Sequence, residues 1–211
     1  MMVQGTATDM ALYWSSRSPF VRKVMVAAHE AGLADRIRRI PIVVAMTIPN
    51  REILAQNPLG KIPTLVLADG TTLFDSLVIC EYLDGLHDGP KLVPATGPAR
   101  ITALRWHALG TGLCDLLVLW RTERSRPSPS PAVLEGFAMK RDASLDALEA
   151  EAPALSAAPF GIGHVAIGCA LGYLDFRYGE EPWRAGRPAL AAWYESFRGR
   201  PSVRATEYVD A

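Results

Sequence analysis

The chain has 211 residues, 22 Lys and Arg against 22 Asp and Glu, and 49% hydrophobic residues. That length allows one or two domains with a sizeable core. The zero net charge, kept in each half, excludes a basic arm and argues against nucleic acid as a partner.

The first nine residues, MMVQGTATD, lack the basic-then-apolar order of a signal peptide and read as a loose leader. ALYW is a short apolar strand, followed by the loop SSRS. Pro19 then stands where a helix tolerates it best, in the first turn. FVRKVMVAAHEAG repeats apolar residues at Phe20, Val24, Ala27, Ala28 and Ala31, a helical spacing that Gly32 stops. Residues 37–44, IRRIPIVV, read as a second strand near a sheet edge, because Pro41 interrupts it. IPNREILAQN holds a short helix, TLVLADGTTLF is a hairpin around Asp69-Gly70, and DSLVICEYLDGL is a helix capped by Asp75 or Ser76. The order gives a mixed sheet with helices on both faces. Residues 88–98, DGPKLVPATGP, read as a linker. The second half has no strand signal. It carries a long helix over 99–126, a second over PAVLEGFAMKRDASLDALEAE, a third from Gly163 to Tyr178 rich in small residues and so central, and a fourth over RPALAAWYESFRGRP. The expected domains are residues 10–88, α/β, and residues 98–211, all-helical.

No apolar run reaches the ~18 residues of a membrane span. Cys80, Cys114 and Cys169 stand apart in apolar stretches with no C-x-x-C pair, which sets aside a zinc ribbon and a dithiol motif and fits a reduced, cytoplasmic chain. His29, His87 and His107 show no metal-ligand spacing, so no metal is expected.

Three segments carry the chemistry: Ser18-Pro19-Phe20-Val21 after the first strand, Asn57-Pro58-Leu59-Gly60-Lys61-Ile62-Pro63-Thr64-Leu65 entering another, and Phe74-Asp75-Ser76 opening a helix. SPFVRKVMVAAHEAGL, NPLGKIPTLVLADGTTLFDS and the helical GCALGYLDFR with RPALAAWYESFRGRPSV resemble a cytosolic glutathione S-transferase over residues 10–206, and are similar to bacterial members with serine in the thioredoxin-type motif. The resemblance implies a thioredoxin-like domain with a mixed four-stranded sheet, an all-α second domain, glutathione as cosubstrate and a homodimer. It also implies a cis bond before Pro63, and at Ile62 a backbone that pairs with the cysteinyl part of the peptide.

The residues support a mechanism of that kind. A thiol attacks only as thiolate. A serine hydroxyl at a helix N-terminus can donate to that sulfur, and the helix dipole adds partial positive charge. Ser18 has this position, with Ser15 and Ser16 as rivals in the same loop and a plain N-cap serine as the simpler alternative. Val21 stands where a dithiol enzyme has its second cysteine, which sets aside reduction through a local pair. Asp75 can take the γ-glutamyl ammonium, and Ser76 with the helix N–H groups can take its carboxylate. Lys61 can meet the glycine carboxylate. The further glycine-end residue that the resemblance implies has no clear match among Thr47, Asn50, Arg51 and Gln56.

Where the family opens its central helix with a Ser/Thr-x-x-Asp box, this chain reads Gly161-Ile162-Gly163-His164. The cap stabilisation is therefore small or supplied from elsewhere, and His164 reads as a buried structural histidine. The electrophile site is expected at Trp14, Arg17, Trp106, Gly110 and Leu113, the last three on one helix face; core packing is the alternative for that stripe. Arg121, Arg124 and Arg126 read as a solvated cluster near a helix end, and Asp175 with Arg177 as a structural ion pair or cap. The expected activity is a glutathione thiolate attacking a small hydrophobic electrophile, with no nucleic acid or membrane partner. The alternative is a binding or assembly module of the same fold without the reaction.

Overall fold

The structure, a computed structural model, describes residues 9–45 and 47–210; of the expected nine-residue leader, residues 1–8 lie outside them. The chain forms two compact units. One runs to Lys91 and takes in the chain from Val209 onward; the other is Leu92–Tyr208. The boundary falls inside the segment expected as a linker, and Leu92 and Val93 are buried rather than exposed.

In the first unit the elements are β1 (Met10–Trp14), α1 (Pro19–Glu30), a 3-10 turn (Ala34–Arg36), β2 (Ile37–Pro41), α2 (Arg51–Gln56), β3 (Thr64–Val66), β4 (Thr72–Leu73) and α3 (Ser76–Asp84). The four-stranded sheet has the order β2-β1-β3-β4, with β1 parallel to β2 and antiparallel to β3. This is the mixed sheet of a thioredoxin-like domain. β1 is interior to the sheet, which is why it is apolar almost throughout: Met10, Leu12 and Tyr13 are all buried. β2 is an edge strand, as Pro41 requires, and stops there rather than at Val44. Its partner ends at Trp14, and the Ile42 N–H to Trp14 carbonyl bond of 3.0 Å closes the pairing. α1 packs on α3, and Val24 and Ala28 of α1 and Ile79 and Leu83 of α3 are all buried. Each fully buried Ile or Leu there contributes about 1.5–3 kcal/mol over an exposed one.

The second unit consists of α4 (Gly97–Arg124), α5 (Pro131–Ala157), α6 (Ile162–Arg177), α7 (Pro188–Arg198) and a short α8 (Pro201–Arg204) that the pattern did not signal. α6 is buried from Ile162 to Leu174, the central position its small residues suggested. α4 approaches it so closely that a Cβ on Gly110 would lie 2.5 Å from the Ala166 backbone. α5 continues past Glu151 and through Pro153. A proline removes one helical hydrogen bond but keeps a helical φ, and buried Ala152 and Leu155 hold this last turn. α7 has no cap of its own. Instead Glu149 of α5 accepts the Ala189 and Leu190 N–H groups at 3.0 and 2.7 Å. Asp175 pairs with Arg184 at 2.7 and 2.8 Å rather than with Arg177, because residues two apart on a helix point to different faces. Among the described residues, no helix is long and apolar enough to cross a membrane.

The cap missing from the sequence at α6 is found in an imidazole. A Cβ on Gly161 would lie 2.7 Å from the Leu92 carbonyl oxygen, so no cap hydroxyl can stand there. His164, at the third helical position, accepts the Gly161 N–H on Nδ1 at 3.1 Å and donates from Nε2 to the Leu155 carbonyl at 2.9 Å. The two bonds select one neutral tautomer. The ring lies among Trp106, Phe160 and Trp193. The charged groups nearby are Arg200, stacked on Phe160, and Glu151, which holds Arg105 and the Trp106 indole N–H. Burial lowers the His164 pKa below 6.5; the Arg200 charge acts in the same direction, and the bond to Leu155 opposes it.

His164→Ala should lower the unfolding free energy by about 2 kcal/mol, since it removes a cap and leaves two backbone groups unpaired. The unfolded chain takes up this proton near pH 6.5 and the folded chain only at lower pH. Stability therefore falls as pH drops below 6.5. Urea unfolding at about pH 7.5 and about pH 5 should show a steeper loss for the wild type than for the variant.

Candidate functional site

Sheet register gathers three segments. Tyr13 pairs with Thr64, and Leu65 with Leu73, so the end of β1, the start of β3 and the end of β4 lie at one end of the sheet. The Ser15–Ser18 loop leaves β1 there, Lys61–Pro63 enters β3 there, and Asp75–Ser76 follows β4.

Ser18 is the N-cap of α1, with extended backbone (φ −87°, ψ 121°), and Pro19 follows in the first turn. Its Oγ accepts the Val21 N–H at 3.2 Å. Its own proton has no acceptor among the described residues, so the hydroxyl can donate at the positive end of a 12-residue helix. Ser15 Oγ accepts the Arg17 N–H at 3.3 Å. Ser16 differs from both: its hydroxyl donates to the Val209 carbonyl at 2.7 Å, so its proton is committed. Arg17 is an exposed side chain whose Nε lies 3.2 Å from the Asp210 carboxylate.

The Ile62–Pro63 bond is cis. Ile62 is buried, yet neither its N–H nor its C=O takes a hydrogen bond among the described residues. The loop leading to it is held by Asn57, 1% exposed. Asn57 Nδ2 donates to the Lys61 carbonyl at 3.1 Å and to Thr64 Oγ1 at 3.0 Å, and its Oδ1 accepts the Leu59 N–H at 3.0 Å. Thr64 Oγ1 donates to the same Lys61 carbonyl at 2.9 Å. The chain reverses at Gly60 with φ +63°, a conformation that favours glycine. These bonds fix the Lys61 backbone, and its side chain is exposed. Asn57 and Thr64 escape the sequence reading as site-builders, although the motif that contains them was its strongest signal.

Asp75 is the N-cap of α3 and accepts the Leu77 N–H on Oδ1 at 2.9 Å, with its side chain exposed. Ser76 is 1% exposed, and its Oγ has no hydrogen-bond partner among the described residues. A buried hydroxyl without a partner costs about 1–3 kcal/mol, so at a helix N-terminus it is a group in want of an acceptor or donor.

The positions proposed for an electrophile fall in different surroundings. Trp14 is half-buried at the end of β1, with the Arg39 guanidinium 5.7 Å from its ring. Trp106, Gly110 and Leu113 are buried on α4; Gly110 faces α6, and Trp106 meets His164 edge-on at 5.6 Å. Core packing, the alternative for this stripe, describes their surroundings. In the glycine-end window, Asn50 is used as the N-cap of α2, accepting the Glu52 N–H at 2.9 Å, while Thr47 and Arg51 are exposed and Gln56 half-buried.

The same architecture occurs in known proteins. The family model described as glutathione S-transferase, N-terminal domain, matches residues 17–86, and that described as glutathione S-transferase, C-terminal domain, matches residues 131–196. The uncharacterized GST-like protein YibF of Escherichia coli is 30% identical over 203 residues, covering 94% of this chain and 98% of that protein. A glutathione transferase family member from Pseudomonas fluorescens, solved with bound glutathione, is 40% identical with a TM-score of 0.91, covering 95% of this chain and 99% of that one. A glutathione S-transferase from Methylobacillus flagellatus, solved with GSH bound, is 36% identical with a TM-score of 0.84, covering 95% and 100%.

Asn57→Ala should cost about 2–3 kcal/mol, because buried donors and acceptors lose their partners. Asn50→Ala, which removes only a surface cap, should cost about 1 kcal/mol. Equal costs in urea titrations would refute the role given to the Asn57 network.

Proposed function

Because the chain belongs to the glutathione S-transferase family, we propose that it is a glutathione transferase of the serine type. The observation that carries this reading is the buried, unpartnered Ser76 hydroxyl at the N-terminus of α3. It suits the γ-glutamyl carboxylate, while the neighbouring Asp75 carboxylate suits the ammonium of the same group. The open backbone of Ile62 beside cis-Pro63 suits the cysteinyl unit as a one-residue strand addition. Lys61 suits the glycine carboxylate.

Ser18 then donates its hydroxyl proton as a hydrogen bond to the glutathione sulfur. Its oxygen is already polarised by the Val21 N–H, and the dipole of α1 favours negative charge at that point. The thiol releases its proton to solvent. The sulfur electron pair forms a C–S bond at the electrophile, and the leaving group departs with the electrons of the bond that breaks. The protein contributes thiolate stabilisation and proximity. Ser15 is the remaining rival donor, since the proton of Ser16 is engaged with Val209. Trp14 supplies an apolar wall for a small hydrophobic electrophile. The reading carries with it a homodimer in the cytoplasm.

Calorimetry should show glutathione binding to the wild type and a roughly tenfold weaker affinity in Ser76→Ala. Ser18→Ala should keep the affinity and lose about 10²-fold in turnover of a model aryl halide. Heat without turnover in the wild type would make the chain a binding module. The absence of heat at millimolar glutathione would reject the reading. Unchanged turnover in Ser18→Ala would move the donor role to Ser15.

A further inference from the structure

The Ser15–Ser18 loop is fixed at both ends, by buried β1 and by the first turn of α1, but its middle is gripped from far along the chain. Ser16 Oγ donates to the Val209 carbonyl at 2.7 Å, a good O–H···O length between residues 193 apart. The next residue, Arg17, brings its Nε within 3.2 Å of the carboxylate of the next residue on the other side, Asp210. Two adjacent side chains of the loop thus hold two adjacent residues of the returning segment, and two attachment points fix an orientation that one would leave free to turn.

We propose that Val209 and Asp210, acting through Ser16 and Arg17, form a clamp that holds the Ser15–Ser18 loop and so orients the Ser18 hydroxyl. These are positioning residues, and their effect on the reaction rests on the proposed role of Ser18 toward glutathione. The clamp has two parts of different character. The Ser16 hydroxyl to carbonyl bond is neutral and insensitive to salt. The Arg17–Asp210 pair is exposed, with side chains 44% and 60% accessible, so salt screens it. The same pairing makes Arg17 a counter-ion of the chain itself, which lowers its availability as an electrophile ligand. It also explains why three serines so close together are not equivalent: one is used to hold the loop.

Three amides report the loop directly: Arg17 N–H on Ser15 Oγ, Ser18 N–H on the Ser15 carbonyl, and Val21 N–H on Ser18 Oγ. Hydrogen exchange on the full chain should be several-fold faster at these amides in Ser16→Ala and in Asp210→Ala, with Asp210→Glu close to the wild type. In the glutathione-saturated protein, thiolate absorbance against pH should shift upward in both alanine variants. High salt should shift the wild type toward Asp210→Ala while leaving that variant unmoved. Unchanged exchange in both variants overturns the clamp. Faster exchange with an unmoved thiol profile overturns its positioning role, whatever happens to the melting temperature. A wild type that binds no glutathione removes the transferase reading, and the exchange measurement then still decides whether the clamp exists.

Discussion

β1 is hydrogen-bonded on both sides, and the placement of every candidate binding group follows from that. Its parallel partner β2 and antiparallel partner β3 fix Leu12 opposite Arg39 and Leu65 at once. A one-residue slip would turn buried Leu12 outward against two neighbours simultaneously. With the register fixed, the ends of β1, β3 and β4 have no choice of location. A serine loop, a cis-proline loop and a helix N-terminus meet at one end of the sheet although they are far apart in sequence. What meets there is two helix N-termini, a strand-like backbone left open, and a few hydroxyls and charges.

The helical unit solves a different problem. Its central helix is buried through most of its length; the close approach of α4 leaves no room for large side chains at Gly110, and that of the Leu92 carbonyl leaves none for a cap hydroxyl at Gly161. The price of that closeness is an uncapped helix inside an apolar core. His164 removes it by reaching back from the third helical position, one ring nitrogen for each of two backbone groups. The imidazole is used for its shape and its two-sided hydrogen bonding rather than for proton transfer.

What the sequence revealed depended on distance along the chain. Elements with a clear period were legible: α1 from its apolar spacing, the Asp69-Gly70 hairpin from its turn residues, and the edge position of β2 from Pro41. Ser18 and Asp75 were legible as N-caps because a cap is a local matter of one residue and the turn after it, although the choice between Asp75 and Ser76 was not. The missing side chain at Gly161 was visible too, though not its replacement. The rest needed the folded chain. Asn57 acts on Lys61 and Thr64 only once Gly60 has reversed the backbone between them. Glu149 meets Ala189 across 40 residues, and Ser16 meets Val209 across 193. The extension of α5 through Pro153 was hidden because proline reads as a stop, while the packing of Ala152 and Leu155 outweighs one lost bond.

The capping of α7 by Glu149 bears on how the second unit comes together. α7 has 11 residues, below the ~12–15 at which an isolated helix holds in water, and it lacks a cap from its own segment. Its first turn is completed only when α5 is already alongside to offer a carboxylate. The start of α7 is thus completed by α5, so a change that displaces Glu149 is felt 40 residues away, at the first turn of another helix.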